Sequence, residues 1–262
     1  MTDRPIPLWL RVIAAILFAF LLTPVVVVVL ASFSSTAYLT IPPQGVTLRW
    51  FREVAENPGY AASIALSVKL ALASTLLAAV LAVPATYALH HRWVAGAETI
   101  ASLMMSPLIF PAVVIGVALL QYVSLLGLRG GFVTLVLAHA VIVTPYMVRT
   151  SLAGFAGLDP SLEEAARVLG ANRLLAFLLT VLPAIRSSLG AGLVFSLITS
   201  FDEVPVTVFL LPPGQATLPV TIFTAIDQGV DPSVAAVSTL LIAATAILLV
   251  ALDRLAGVRR LF

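Results

Sequence analysis

The chain has 262 residues, 61% of them hydrophobic and 10% charged, with a mean hydropathy of +1.12 and a formal net charge of +2. Soluble domains carry roughly 25% charged residues, so this composition excludes a water-covered globule and fits a chain that uses lipid as its solvent. The absence of cysteine excludes disulfides, thiol catalysis and zinc–thiolate centres.

At the start of the chain, Arg4 and Arg11 precede an apolar run from Val12 to Ala31. A cleavable signal has an apolar region of only about 7–15 residues, so this run predicts a retained first span. Six spans are predicted in all: Val12–Ser32, Ile64–Tyr87, Ile100–Val123, Phe132–Val148, Ser188–Phe209 and Ser233–Leu252. Each lies near the ~20 residues needed to cross ~30 Å of hydrocarbon at ~1.5 Å per residue. The runs are continuous, not alternating, which selects helices over a barrel. The chain is thus expected to be an all-α integral membrane protein, a single transmembrane domain over residues 1–262.

An even number of spans puts both termini on one side, and basic residues choose that side. With the termini in the cytoplasm, Arg4, Arg11, Arg92, Arg149, Arg167, Arg173, Arg186, Arg254, Arg259 and Arg260 fall inside, against Arg49, Arg52 and Arg129 outside. The external connection Phe33–Ser63 carries turn chemistry at Pro42-Pro43-Gln44-Gly45 and Asn57-Pro58-Gly59. Between the two turns, a short helix over Leu48–Glu56 is expected to present Trp50 and Phe51 to the interface. Within the spans, Pro107, Pro111 and Pro145 predict kinks. Lys69 reads as a snorkelling or ion-paired cation, His139 as a helix-packing hydrogen-bonder, and His90 and His91 as solvated boundary residues.

The cytoplasmic connection Arg149–Ser187 contains Leu158–Gly170, LDPSLEEAARVLG. Asp159 suits an N-cap, Pro160 the first helical position, and Glu163 and Glu164 the positive end of the helix dipole. Gly170 suits the left-handed stop. A helix of about ten residues is marginal alone in water, so it must dock on something. Leu162, Ala165, Ala166 and Leu169 form one apolar stripe, while Glu163 and Arg167 are spaced to pair at i, i+4. Asn172 is placed to cap a second helix that ends at Pro183 or continues into the fifth span.

These residues carry a resemblance. The chain reads Glu164-Ala165-Ala166, three residues, Gly170, nine residues, then Thr180-Val181-Leu182-Pro183. This resembles the pattern EAA-x3-G-x9-I-x-L-P of the permease subunits of bacterial ABC importers, departing from it only at Thr180. The resemblance implies a type I ABC importer permease fold in which residues 158–170 form the coupling helix. It implies that Glu164, Ala165, Ala166, Gly170 and Pro183 serve coupling to a separate ATP-binding cassette subunit. The chain itself has no G-x-x-x-x-G-K-[ST] phosphate loop, so it is expected to be a transport subunit and not an enzyme. The remaining implied partners are a second permease subunit of different sequence, an external solute-binding protein and the lipid of the bacterial inner membrane. No nucleic acid, cofactor or metal is expected.

The layout, with Ser200-Phe201-Asp202-Glu203, Leu218-Pro219 with Ile222, and Gly229-Val230-Asp231-Pro232, resembles the spermidine/putrescine-type permeases. A polyamine or similar small cation is the implied solute; iron, phosphonate and opine permeases are the alternatives within the family. Ser200, Asp202 and Glu203 are the substrate-path candidates. Carboxylates at membrane depth cost ~2.5–3.5 kcal/mol on insertion scales and usually face a cavity or a partner. Neighbouring residues point about 100° apart on a helix, so Asp202 and Glu203 are not expected to share one wall. Pro205 leaves the Phe201 carbonyl without its donor and predicts a kink beside them. Pairing with the partner permease is the alternative role for the two carboxylates. An ion-coupled secondary transporter would need repeated halves with broken helices, and no repeat is visible. An intramembrane enzyme would need H-E-x-x-H, a nucleophile elbow or a pair of histidines placed to share a metal, and the sequence offers none of these.

Overall fold

The computed structural model describes residues 7–36, 44–128, 130–229 and 232–256. The predicted turn at Pro42-Pro43 lies outside the described residues, as do Arg4, Arg129, Val230, Asp231, Arg259 and Arg260. Every regular element among the described residues is helical. In chain order these are α1 (Leu8–Ser32), α2 (Arg49–Glu56), α3 (Pro58–His90), α4 (Ala97–Met104), a 3-10 turn (Ser106–Leu108), α5 (Ala112–Leu125) and α6 (Phe132–Ala156). There follow α7 (Pro160–Val168), α8 (Arg173–Ala176), a π-helical turn (Phe177–Val181) and α9 (Leu182–Ala184). The chain then forms α10 (Arg186–Phe201), α11 (Pro205–Leu210), α12 (Leu218–Gln228) and α13 (Pro232–Ala256).

Apolar helices overlap all six predicted spans, although the bent pair that overlaps the fifth begins at Arg173, inside the predicted cytoplasmic connection. Three, α1, α3 and α6, are long and apolar enough to cross a bilayer unbroken. A fourth is the bent pair Arg173–Ala184 and Arg186–Phe201, which meet at 76°. The other two, α5 and Pro232–Ile247, are shorter apolar helices.

Two predicted spans are interrupted. The third was expected to run unbroken over Ile100–Val123, but it divides into α4, the 3-10 turn and α5. Pro107 and Pro111 each remove a backbone donor and clash with the preceding turn, and two such breaks four residues apart end the helix where one would only bend it. The fifth, expected over Ser188–Phe209, stops at Phe201 and resumes at Pro205. Pro205 occupies the first position of α11, where its missing N–H is no loss. Pro145, by contrast, lies within the continuous α6.

The described residues fall into two compact units, one drawn from the stretches before Ala62 and from Ile222 to Arg254, the other from Ala62 to Thr221. In the first, α1 keeps none of its most apolar stretch buried, so its outer surface belongs to lipid or to another chain. Trp50 is turned inward, contrary to expectation: it is 6% exposed, and its Nε1–H donates to the Ser34 carbonyl at 2.8 Å. A buried indole N–H needs such an acceptor, and the carbonyl after α1 supplies it. Phe51, half-buried, lies against Phe33 with ring centres 5.1 Å apart.

The second unit is organised by α6, in which Leu135, His139, Val143, Met147, Ser151 and Phe155 are all buried at helical spacing. One apolar cluster joins α6 to α3 and to the π turn through Ala82, Tyr87, Val148, Phe155 and Val181. Another joins it to α11 through Leu135, Ile142, Val206 and Leu210. Small residues let these helices approach. A Cβ on Gly116 of α5 would stand 2.7 Å from the Phe209 ring and 3.2 Å from the Pro205 carbonyl oxygen, so α5 and α11 meet almost backbone to backbone.

Candidate coupling helix and solute-path residues

The segment after α6 builds its helix as the residues dictate. Asp159 Oδ1 accepts the Ser161 N–H at 2.9 Å, and Pro160 begins α7. Accepting that N–H holds the exposed Asp159 carboxyl below the usual carboxylate range. At the other end, Gly170 takes φ +94°, with its N–H on the Arg167 carbonyl and the Ala171 N–H on that of Ala166. This is the left-handed termination that glycine permits. Asn172 Oδ1 then caps α8 by accepting the Leu175 N–H at 2.9 Å. The second helix does continue past Pro183. In the π-helical turn before it the Leu182 N–H reaches back five residues to the Phe177 carbonyl, and the chain bends at Ile185 into α10.

None of the α7 side chains is buried. Leu162 is 44%, Val168 87% and Leu169 88% exposed, and Ala165 and Glu164 are exposed beside them. The predicted Glu163–Arg167 pair does not form. Glu163 turns toward α3: its Oε1 accepts the Tyr87 hydroxyl at 2.7 Å, and its Oε2 lies 3.0 Å from His91 Nε2. A half-buried carboxylate gains more from two fixed donors than from a mobile surface arginine. His91 is therefore a bonded residue, not a solvated one. Tyr87 is the centre of an aromatic group, with ring centres 4.6 Å from Phe177, 5.3 Å from Trp93 and 5.7 Å from Phe155. Arg173 stands 5.2 Å over the Trp93 ring. A cavity of about 210 Å³ opens beside this group, between His90, Trp93, Phe155, Glu164, Arg167 and Arg173.

The substrate-path candidates lie at the break between α10 and α11. Asp202 is exposed at the C-terminal end of α10. Glu203 Oε1 accepts the Val206 N–H at 2.9 Å and so caps α11. Both carboxylates lie in the break after Phe201 and before Pro205, so the helical spacing used to separate them does not apply there. Ser200 is buried, with its hydroxyl 2.8 Å from Ser74 Oγ of α3 and 2.9 Å from His139 Nδ1 of α6. His139 Nε2 lies 2.9 Å from Thr207 Oγ1, which donates to the Glu203 carbonyl at 2.7 Å. Because Thr207 gives its proton to the Glu203 carbonyl, Nε2–H donates to Thr207 and Nδ1 accepts from Ser200; the Ser74 hydroxyl, also 2.8 Å from the Leu70 carbonyl, shares one proton between that carbonyl and Ser200. His139 is a packing hydrogen-bonder, as expected. Lys69 is exposed on α3 and makes no ion pair among the described residues.

Two connections were not visible in the sequence. Tyr87 and His91 stand at i, i+4, but nothing in a linear reading points them at Glu163, more than seventy positions away. The path from Ser74 to Thr207 draws on four helices, and only the rarity of histidine at membrane depth marked it.

The structure thus sets a capped helix carrying Glu164-Ala165-Ala166 between apolar helices, beside a broken helix. Residues 74–258 match the family described as the binding-protein-dependent transport system inner membrane component, and the chain belongs to that family. It is thus a permease subunit of an ABC importer, with the fold of one. Among its relatives, the putrescine transport system permease protein PotI of Escherichia coli strain K12 is 30% identical over 246 residues, 91% of this chain and 87% of PotI. The spermidine/putrescine transport system permease protein PotC of the same strain is 27% identical over 235 residues, 90% of this chain and 89% of PotC. In structure, the chain resembles a bacterial ABC transporter involved in the import of the acidic polysaccharide alginate, with a TM-score of 0.79 at 18% identity and 94% of each chain covered. It also resembles the MetNI methionine ABC transporter, with a TM-score of 0.61 at 17% identity, over 74% of this chain and 93% of that one.

Proposed function

We propose that this permease subunit imports a polyamine, and that α7 is its coupling helix, seated in a groove of a separate ATP-binding cassette subunit. The observation that carries the coupling role is the exposed apolar edge of α7. Leu162, Val168 and Leu169 stand open on a helix fixed at both ends. Exposed apolar residues on a short helix of this kind suit a surface that another protein covers. Within the proposed interface, Ala165 and Ala166 allow close approach, Glu164 supplies the charged contact, Gly170 makes the turn, and Pro183 redirects the chain toward α10.

ATP hydrolysis then belongs to the partner, since this sequence has no phosphate loop of its own. A second permease of different sequence completes the pathway, and an external binding protein delivers the solute. The arginine distribution supports cytoplasmic termini in the inner membrane. The polyamine reading is supported by the PotI and PotC relatives and by the two carboxylates beside the broken fifth span.

The test is made on the complete importer in proteoliposomes. Glu164→Lys and Gly170→Pro are expected to reach the membrane yet lose most solute-stimulated ATP hydrolysis. Normal stimulation in both variants would overturn the coupling role. The solute is tested separately on the purified external binding protein: preference for putrescine or spermidine supports the reading, and preference for a phosphonate or another anion rejects it.

A further inference from the structure

Building on the coupling role proposed for α7, we infer that Glu163, Tyr87 and His91 form a two-point clasp that transmits displacement of α7 to α3. This makes Glu163 a positioning residue for coupling. Its carboxylate is held at both oxygens, 2.7 Å from the Tyr87 hydroxyl and 3.0 Å from His91 Nε2. Tyr87 lies in the last turn of α3, and His91 follows its final residue, with its N–H on the Tyr87 carbonyl at 3.1 Å. Two bonds to one carboxylate fix the plane of that group and hold this turn of α7 against the end of α3.

The receiving side is rigid. Tyr87 is 6% exposed and packed against Phe155 of α6 and Phe177 of the π turn, so its hydroxyl cannot swing to follow a moving partner. A displacement of Glu163 must therefore move the end of α3 or break the clasp. From Pro58 to His90, α3 is continuous, and at ~1.5 Å per residue it is a rod of about 50 Å. It also carries Ser74, the first member of the hydrogen-bonded path to the break beside Asp202. The neighbouring carboxylates of α7 are thus divided: Glu164 faces outward, and Glu163 faces its own chain.

The experiment uses the full importer, with both permeases, the ATPase subunits and the binding protein, in proteoliposomes. It reads two quantities: solute moved per ATP hydrolysed, and capture of the ATPase by the permease in detergent. Glu163→Ala and Tyr87→Phe are each expected to lower the transport ratio by about fivefold or more, the scale of a typical coupling free energy, with capture unchanged. Glu163→Gln keeps an oxygen that accepts from Tyr87 and an amide group within reach of His91 Nε2, so it should retain most of the ratio, which a charge contact to the ATPase would not. The double variant Tyr87→Phe with Glu163→Ala should be no worse than the poorer single one. If Glu163→Ala fails to accumulate, Tyr87→Phe and His91→Gln decide the matter, since both preserve packing.

An unchanged ratio in Tyr87→Phe and Glu163→Ala overturns the clasp. Loss of ATPase capture in Glu163→Ala also overturns it, by making Glu163 a docking contact. Failure of the coupling role itself gives a different result: Glu164→Lys and Gly170→Pro would then transport normally, whatever the clasp variants do.

Discussion

His139 Nε2 stands 2.9 Å from the Thr207 hydroxyl, which bonds a histidine of α6 directly to the helix that resumes after Asp202 and Glu203. Its other ring nitrogen meets Ser200 at the end of the preceding helix. One imidazole therefore spans the break and sets the distance between its two sides. Replacing it with leucine would leave Ser200 and Thr207 partly unsatisfied, at a cost of about 1–3 kcal/mol for each buried polar group stranded. His139→Leu is expected to lower the thermal unfolding midpoint of the detergent-purified complex, and His139→Gln to lower it less. Equal midpoints for the two variants would show that volume, not hydrogen bonding, matters here.

Gly116 faces Phe209 and the Pro205 carbonyl too closely for a side chain. Gly116→Ala is expected to destabilise by about 1–3 kcal/mol, the usual range for overpacking, and Gly116→Val by more. Because α11 is the element displaced, solute uptake should fall while capture of the ATPase is kept. Unchanged uptake in Gly116→Val would mean that α5 and α11 separate freely.

Asp159 gives α7 a specific pH dependence. Its carboxyl sits below the usual carboxylate range because the charged form accepts the Ser161 N–H. The stabilisation is therefore fully present above the unfolded pKa, and it is lost as pH falls through the lowered folded value. Amide exchange across residues 161–168 is expected to stay flat between about pH 8 and pH 5 once corrected for intrinsic rates, and to lose protection below about pH 4. Asp159→Asn should remove the acid limb, and Asp159→Ala should lower protection at every pH. An acid limb that survives in Asp159→Asn would assign it to another group.

Asp202 and Glu203 are open to different tests because they are held differently. Asp202 is exposed, so Asp202→Asn changes charge with little structural cost. Glu203 caps α11 through its Oε1, and Glu203→Gln keeps that acceptor. A carboxylate in a partly dehydrated pathway attracts a cation more strongly than one in bulk water. Asp202→Asn is expected to reduce putrescine uptake about three- to tenfold, a modest share of that attraction, with ATPase capture intact. Normal uptake in both variants would leave the carboxylates with a structural role or a pairing role with the second permease.

The orientation proposed from the arginines has its own test. Cysteines placed at Gln44 and Gly214 should react with an impermeant thiol reagent from outside, and one at Asn172 should not. Because the chain has no cysteine of its own, each signal is unambiguous. Outside labelling at Asn172 would invert the topology.

The six apolar segments and both ends of α7 were legible in the sequence because each depends on local chemistry. Apolar run length sets a span, and Asp159, Pro160 and Gly170 set a capped helix with little help from the rest of the chain. The interruptions at Ser106–Pro111 and Asp202–Val204 were legible only as kinks, since how far a proline bends or breaks a helix depends on the neighbours that resatisfy the backbone. The clasp and the path through His139 were not legible. Each joins residues more than fifty positions apart, and sequence carries no direct record of which distant faces meet. Glu163 shows the limit well: its spacing suggested Arg167, and a tertiary contact overrode a weak helical pair.

The divided third segment determines which solvent that part of the protein can tolerate. In an unbroken helix the carbonyls of Leu103 and Pro107 would each accept an N–H four residues on, but those positions are Pro107 and Pro111. Hydrocarbon offers no substitute donor, and an unsatisfied carbonyl there costs several kcal/mol. Ile109 and Phe110, 79% and 57% exposed, lie within this stretch. The break is therefore expected to be hydrated or covered by another polypeptide at the Pro107 carbonyl, even though Ile109 and Phe110 beside it are apolar. The prolines of this segment thus mark a wet or protein-covered face on a chain whose composition would otherwise suit oil on every side.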